Sequence, residues 1–285
     1  MIDLSSLNEN QREAVLWDKG PLLVLAGPGS GKTRVLTCRI ARILEQSAGQ
    51  HFRILALTFT NKAAAEMRGR VEELVPSELG RVRLTTFHSY AAELLQQHGN
   101  HLSFRPDFQI LSNDADREAL LDDVLGLLRK DLTYSLPDHF KSAQLLPAVT
   151  RLLERCVPPE QAEMLLQQAN VENTIPLARV YAAYRDALRK TNALDFPSLI
   201  AESLDLLTQY PFLVKHIRKV YKHILIDEFQ DTNHTQYRIL SLIAQPDPTT
   251  LFVVADDDQI IYQWNGASPK RIQALRDDFG VSELQ

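Results

Sequence analysis

The chain has 285 residues, 45% apolar and 24% charged, with a formal net charge of −5. That balance suits one large globular domain or two modest ones and excludes a disordered tail, a collagenous repeat and a small disulfide scaffold. No apolar run reaches the roughly 18 residues of a spanning helix, and the opening MIDLSSLNENQ lacks the basic cap and apolar core of a secretion signal, so a cytoplasmic protein without membrane association is expected.

Cys38 and Cys156 fit no C-x-x-C pattern and read as reduced, buried thiols. Charge is graded along the chain. Residues 1–90 carry 12 Lys and Arg against 9 Asp and Glu, residues 91–191 carry 11 against 14, and residues 192–285 carry 8 against 13. Any polyanion is therefore expected in a local groove rather than drawn by a global field.

In chain order, a short helix at Asn10–Trp17 precedes the apolar run Leu22–Ala26, which has the length and composition of a strand buried on both faces. A glycine-rich turn leads into a helix at Lys32–Gln46. A strand at Arg53–Thr58, a helix at Lys62–Leu74 and a strand at Val82–Thr86 follow. This alternation implies a mostly parallel sheet flanked by helices. From about Ala91 strand signals nearly vanish. Leu121, Val124, Leu125 and Leu128 mark one helix, with Asn113 as its N-cap. Leu146, Val149 and Leu153 mark a second, and Leu177, Val180, Tyr181, Tyr184 and Leu188 a third. Alternation resumes with a strand at His223–Ile226, a helix at Asn233–Ala244 and a strand at Leu251–Val254. A last helix is capped by Ser268-Pro269, and Val281–Leu284 reads as a further strand. The expected organisation is an α/β domain of residues 1–90 and 192–285, interrupted by an all-helical insertion of residues 91–191.

Between the first strand and its helix lies Ala26-Gly27-Pro28-Gly29-Ser30-Gly31-Lys32-Thr33. Small residues there let backbone N–H groups close around a phosphate, and the helix N-terminus favours negative charge. Lys32 would reach the β- and γ-phosphates of a nucleotide and Thr33 would ligate Mg²⁺, although the strict G-x-x-x-x-G-K-[ST] pattern has Gly where this chain has Ala26. Asp227-Glu228 ends a strand, at the edge where open α/β sheets place ligands. Asp227 would hold Mg²⁺ through water and Glu228 would orient and deprotonate an attacking water. Gln259, beyond the strand at Leu251–Val254, could bond a γ-phosphate. The preceding Asp256-Asp257-Asp258 taken alone is a plain acidic loop.

These pieces in this order resemble the UvrD/Rep-like DNA helicases of superfamily 1. The matching segments are Leu7–Val15, Leu25–Leu36, Leu57–Val71, Thr85–Ser89, Leu194–Phe196, Ile224–Asn233 and Ala255–Ala267. That family commonly opens its phosphate loop with Ala, as at Ala26. The resemblance implies a RecA-like, P-loop ATPase domain of a motor that uses ATP and Mg²⁺, moves 3′ to 5′ on single-stranded DNA and unwinds duplex at single-strand/duplex junctions. It makes Gln11 the adenine-reading glutamine, whose amide suits adenine N6 and N7. It adds Arg34 to the loop residues Gly27 to Thr33, and makes Gln230 and Gln259 links between nucleotide and DNA.

On the DNA side the resemblance points to Phe59, Phe196, Tyr262 and Trp264 as stacking platforms, each worth about 1–3 kcal/mol per base. Thr58, Thr60, Asn61, Thr86 and His88 are implied phosphate contacts. Read without the resemblance, Phe59 and Phe196 are as readily core residues. Gln263 and Asn265 stand where the family carries arginines, and Pro197-Ser198 where acids usually follow Leu194-Asp195-Phe196. The family's second motor domain would begin after Gln285 and supplies arginine fingers worth roughly 10³–10⁵ in rate. The chain is thus expected to be an N-terminal half that hydrolyses ATP slowly and does not unwind alone. Two other readings stay open: a nucleotide-dependent regulator that keeps the fold without the motor, and a P-loop small-molecule kinase.

Overall fold

A run such as Leu22-Leu23-Val24-Leu25 has no polar face to offer water, so it belongs inside a sheet covered on both sides. In the computed structural model, which describes residues 3–131, 136–245, 250–256 and 270–284, all four of these residues are buried. The chain divides into two compact units, Met1–Tyr90 with Tyr210–Gln285, and Ala91–Gln209.

The first unit opens with α1 (Glu9–Leu16), β1 (Leu22–Leu25), α2 (Lys32–Gln46), β2 (Arg53–Thr58), α3 (Asn61–Leu74) and β3 (Val82–Thr86). Helix α4 (Phe87–His98) leads into the second unit, which contains β4 (Gln109–Leu111), α5 (Asp114–Arg129), α6 (Ser142–Glu154), α7 (Ala162–Gln168) and α8 (Thr174–Thr191). That unit ends with β5 (Ala193–Asp195) and α9 (Phe196–Gln209). The first unit then resumes with α10 (Pro211–Val220), β6 (Tyr221–Ile226), α11 (His234–Ile243), β7 (Thr250–Ala255), α12 (Lys270–Phe279) and β8 (Ser282–Leu284).

The first unit's sheet has six strands in the order β3-β2-β6-β7-β1-β8, and every neighbouring pair is parallel. The chain therefore crosses from β1 over two strands to reach β2, and later fills the gap with β6 and β7. This brings the carboxyl ends of β1, β6 and β7, distant in sequence, side by side. Leu22, Val24, Leu36, Ile40, Ile54, Leu225 and Phe252 share one core beneath α1 and α2.

One buried cation fixes α1 to that core. Arg39 of α2 is 6% exposed. Its Nη1 donates to the carbonyls of Ala14 and Val15 at 3.2 Å and of Trp17 at 2.7 Å, the acceptors that the end of α1 leaves open. Its guanidinium lies 4.7 Å from the Phe252 ring centre. Burial, then the neighbouring Arg42, pull its pKa down to about 10, so it remains charged. At the other end of α1, Asn8 and Gln11 form a capping box.

The second unit departs from the all-helical expectation. Strands β4 and β5 pair in parallel, Gln109 opposite Ala193 through Leu111 opposite Asp195. Residues 192–209 also belong here rather than with the large sheet, because β5 pairs with β4 and α9 packs on α6. The boundary at residue 192 is corrected accordingly to 210. Inside the unit Arg185 and Glu202 are both buried and paired at 2.5 Å, with Asp205 2.6 Å from the same guanidinium. Arg117 meets buried Asp195 at 3.0 Å, and the Tyr184 hydroxyl donates to the same carboxylate at 3.0 Å. Cys38 and Cys156 are buried, and neither is in a disulfide.

Candidate nucleotide site at the carboxyl edge of the sheet

The glycine-rich turn joins β1 to α2 with Gly27 to Ser30 exposed. Gly31 precedes α2 at φ +83°, in the left-handed region that L side chains rarely occupy. A Cβ there would also lie 2.9 Å from Gln11 Nε2. That amide donates to the Ser30 carbonyl at 2.8 Å, so the α1 glutamine is docked directly against the loop. Beside them Gln11, Ala14, Val24, Ala26, Ser30 and Val35 line a cavity of about 130 Å³. Exposed Arg34 donates instead to the Ser6 hydroxyl, tying the start of α2 to the N-terminal segment.

Lys32 Nζ folds back over the loop, donating to the Ala26 carbonyl at 3.0 Å and the Gly27 carbonyl at 3.4 Å. Its charge partner is Asp256 Oδ2 at 2.9 Å. Asp256 follows β7, next to β1 in the sheet, and is 1% exposed. It is not a plain acidic loop residue. Nothing local in the sequence signals this, because the pairing depends on β7 lying beside β1.

Asp227 and Glu228 follow β6. The Asp227 N–H donates to the Leu57 carbonyl at 2.9 Å, extending the β2–β6 ladder by one bond and fixing the buried acid at the strand's end. Glu228 has φ +50°, a sharp turn for a non-glycine residue, and its N–H meets Asp227 Oδ1 at 3.2 Å. Gln230 Nε2 then donates to Glu228 Oε2 at 2.7 Å, while Gln230 Oε1 accepts the Asp256 N–H at 2.9 Å. One buried amide thus joins the β6 and β7 edges, and through Asp256 the lysine.

Burial first, then the Glu228 charge, push the Asp227 carboxyl up to about 6. The same causes in the same order push Asp231 up to about 6, and its Oδ1 is buried with no hydrogen-bond partner among the described residues. With the lysine already matched by Asp256, these crowded acids leave negative potential that a divalent cation would relieve. The Thr33 hydroxyl at the start of α2 and the Asp227 carboxylate are oxygen donors of the kind Mg²⁺ takes, one or two from protein with the rest from phosphate and water.

The other expected residues fall into separate groups. Thr60 is the N-cap of α3, accepting the Ala63 N–H at 3.1 Å. Phe59 is half-buried and Asn61 exposed, its Oδ1 accepting from Ser89 Oγ at 3.4 Å. Thr86 is buried, and its hydroxyl is spent on Ser89 at the start of α4. His88 is half-buried, with its pKa lowered by burial. Thr58 Oγ1 is buried without a hydrogen-bond partner among the described residues. In the second unit, Leu194 and Asp195 are buried, whereas Phe196 is 45% exposed, which overturns a core role for that ring. Ser198 and Asp195 cap α9 reciprocally, each backbone N–H meeting the other's side chain at 2.8 Å, so the Pro197-Ser198 departure builds a helix start. Gln259, Tyr262, Gln263, Trp264 and Asn265 lie outside the described residues.

A parallel sheet with a glycine-rich strand–loop–helix, a lysine inside the loop and acids on the neighbouring strand ends defines a RecA-like P-loop domain. The sequence is more particular: residues 7–280 match the UvrD/REP helicase N-terminal domain, and the chain belongs to that family. It is similar to the ATP-dependent DNA helicase PcrA of Staphylococcus epidermidis (strain RP62A), 36% identical over 276 residues that cover 97% of this chain and 36% of that protein. It is also similar to the protein of the same name from Staphylococcus aureus (strain Mu50), 34% identical over the same shares. The chain spans about a third of the length of these relatives. Among the described residues no helix is long and apolar enough to cross a membrane.

Proposed function

We propose that the chain is the ATP-binding N-terminal part of an ATP-dependent 3′–5′ DNA helicase, acting in the cytoplasm on single-stranded DNA and at single-strand/duplex junctions. The observation that carries this is the convergence of Lys32, Asp256, Gln230 and Glu228 in one bonded chain across three strand ends. Such a chain ties the phosphate loop to the acids and gives the site two states, with Lys32 on Asp256 or on a phosphate.

In this reading the backbone N–H groups from Gly27 to Thr33 hold the phosphates, and Lys32 leaves Asp256 to meet the negative charge that develops on them. Gln11 reads the base from the cavity beside the loop. Thr33 and Asp227 would hold Mg²⁺, which when bound offsets charge on the phosphate oxygens. Glu228 orients the attacking water and accepts its proton, and Gln230 holds that carboxylate in place. Phe59 and Phe196 offer aromatic faces to bases, with Thr60, Asn61 and His88 toward the backbone. A polypeptide of these 285 residues hydrolyses slowly and does not unwind, because the family's activating arginines come from a second motor domain.

The test is ATP hydrolysis by this chain with and without oligo-dT, beside Lys32→Ala. Slow turnover lost in the variant supports the nucleotide site. Turnover that survives Lys32→Ala rejects it, and unwinding by these residues alone rejects the need for a second domain.

A further inference from the structure

The nucleotide site uses only the carboxyl edge of the sheet. At the amino edge, where β1, β2, β6 and β7 begin, two grooves run together. Trp17, Asp18, Arg39, Arg42, Phe52 and His223 line the first, a space of about 270 Å³. The second, about 490 Å³, includes Arg53, Arg81, His216 and Lys219, and shares Gln50 and Phe52 with the first. Five Arg and Lys line the two grooves against one acid, Asp18, on a chain whose net charge is −5.

Several of these cations are packed rather than scattered. Arg81 lies 4.8 Å from the centre of the Phe52 ring, with Lys222, which lines neither groove, 5.6 Å from the same centre and the His223 ring tilted against it at 5.1 Å. The crowding is felt at His223, held near 4 by burial and then by Arg39, Lys222 and Arg81. Part of the charge has structural work: Arg81 pairs with Glu78 at 2.8 Å, and Arg39 closes α1. Arg39 Nε nevertheless has no hydrogen-bond partner among the described residues although it is buried. Arg53 and Lys219 are exposed and form no ion pair among the described residues.

We propose that this amino-edge groove is a second binding site, distinct from the nucleotide edge, which takes the phosphate backbone of a nucleic acid. The proposal rests on the DNA part of the reading above. A phosphodiester chain needs a row of donors and no apolar anchor. A protein segment would be held chiefly by buried apolar or aromatic side chains, and none of the exposed large apolar residues lines either groove.

The test is binding of labelled oligo-dT and of a blunt DNA hairpin across a salt series, by fluorescence anisotropy. The proteins are wild type and Arg42→Glu/Arg53→Glu/Lys219→Glu, with ATP hydrolysis and circular dichroism as controls. Expected is at least a tenfold loss of affinity near 0.1 M salt and a salt slope shallower by about 2–3 for whichever probe occupies the groove, with hydrolysis unchanged. If the triple variant loses its fold, Arg53→Gln/Lys219→Gln is expected to lower the slope by about 1–2. Unchanged slope and affinity for both probes overturn the groove alone. Wild type that binds neither probe overturns the DNA reading as well. Displacement by poly-glutamate more effective than by an oligonucleotide of equal charge also overturns the proposal and assigns the groove to an acidic protein segment.

Discussion

Lys32 Nζ lies 2.9 Å from Asp256 Oδ2, with the lysine side chain 9% exposed and the aspartate 1%. The two residues stand 224 positions apart in sequence, and their contact exists only because β7 lies beside β1 in the sheet. The lysine is thereby kept from being an unpaired charge against the sheet.

Asp256→Asn tests this pairing. The variant leaves the lysine with carbonyl acceptors only, and loss of one partner from a buried pair costs about 3 kcal/mol. Urea unfolding without nucleotide should show that loss. Saturating ATP should recover part of it, since a ligand that binds only the folded state adds stability, and ATP affinity should rise because the phosphate no longer competes with the carboxylate. A variant as stable as wild type, with unchanged affinity, would sink the idea.

Asp227 and Asp231 give the site a pH signature. Both fold with carboxyls near 6 against an ordinary 3.8, so the folded state binds their protons more tightly than the unfolded. Without divalent cation, their contribution to stability is greatest below about pH 4 and is lost as pH rises through 6, by on the order of 1–3 kcal/mol per group. Urea titrations in EDTA from pH 4.5 to 7.5 should show Asp227→Asn gaining on wild type toward the alkaline end. Parallel pH profiles for the two proteins would contradict the shift.

Gly31→Ala places a side chain at φ +83° and a methyl 2.9 Å from Gln11 Nε2. The backbone strain is worth about 1–2 kcal/mol, and the methyl displaces the amide from the Ser30 carbonyl. Thermal denaturation should register the first effect and nucleotide titration the second. Gly27→Ala meets nothing within 4 Å and should be milder in thermal denaturation.

Leu194 and Phe196 are two residues apart and should behave oppositely. Leu194→Ala empties a fully buried position and should cost about 2–5 kcal/mol in stability. Phe196→Ala removes an exposed ring, should leave the unfolding midpoint nearly unchanged, and should weaken single-stranded DNA binding by about 1–3 kcal/mol if bases stack there.

The large sheet was readable because parallel strands covered on both faces are uninterrupted apolar runs. The observed bounds of α2, β2 and β3 coincide with those expected from the pattern. The three-residue strands β4 and β5 were not readable. Gln109-Ile110-Leu111 is too short to show a period, and Ala193-Leu194-Asp195 runs straight into a helix. The phosphate loop and the Asp227-Glu228 pair carried local signals, since each is a contiguous segment next to a strand. Asp256 carried none, and Gln230, singled out only by the family resemblance, carried none for its bond to the Asp256 N–H. Both depend on strand order, and a sequence reports which segments are strands far more directly than which strands become neighbours.

The Gln230 carboxamide has a fixed sense. The Asp256 N–H can only donate, so the amide oxygen must face it and the nitrogen must face Glu228. With Gln230 only 2% exposed, neither end can turn to bulk water when its partner changes. The one orientation that satisfies both partners therefore sets the spacing between the β6 and β7 ends. A group that itself carries no charge thus holds the Glu228 carboxylate and the lysine's partner Asp256 in a single register across two strand ends.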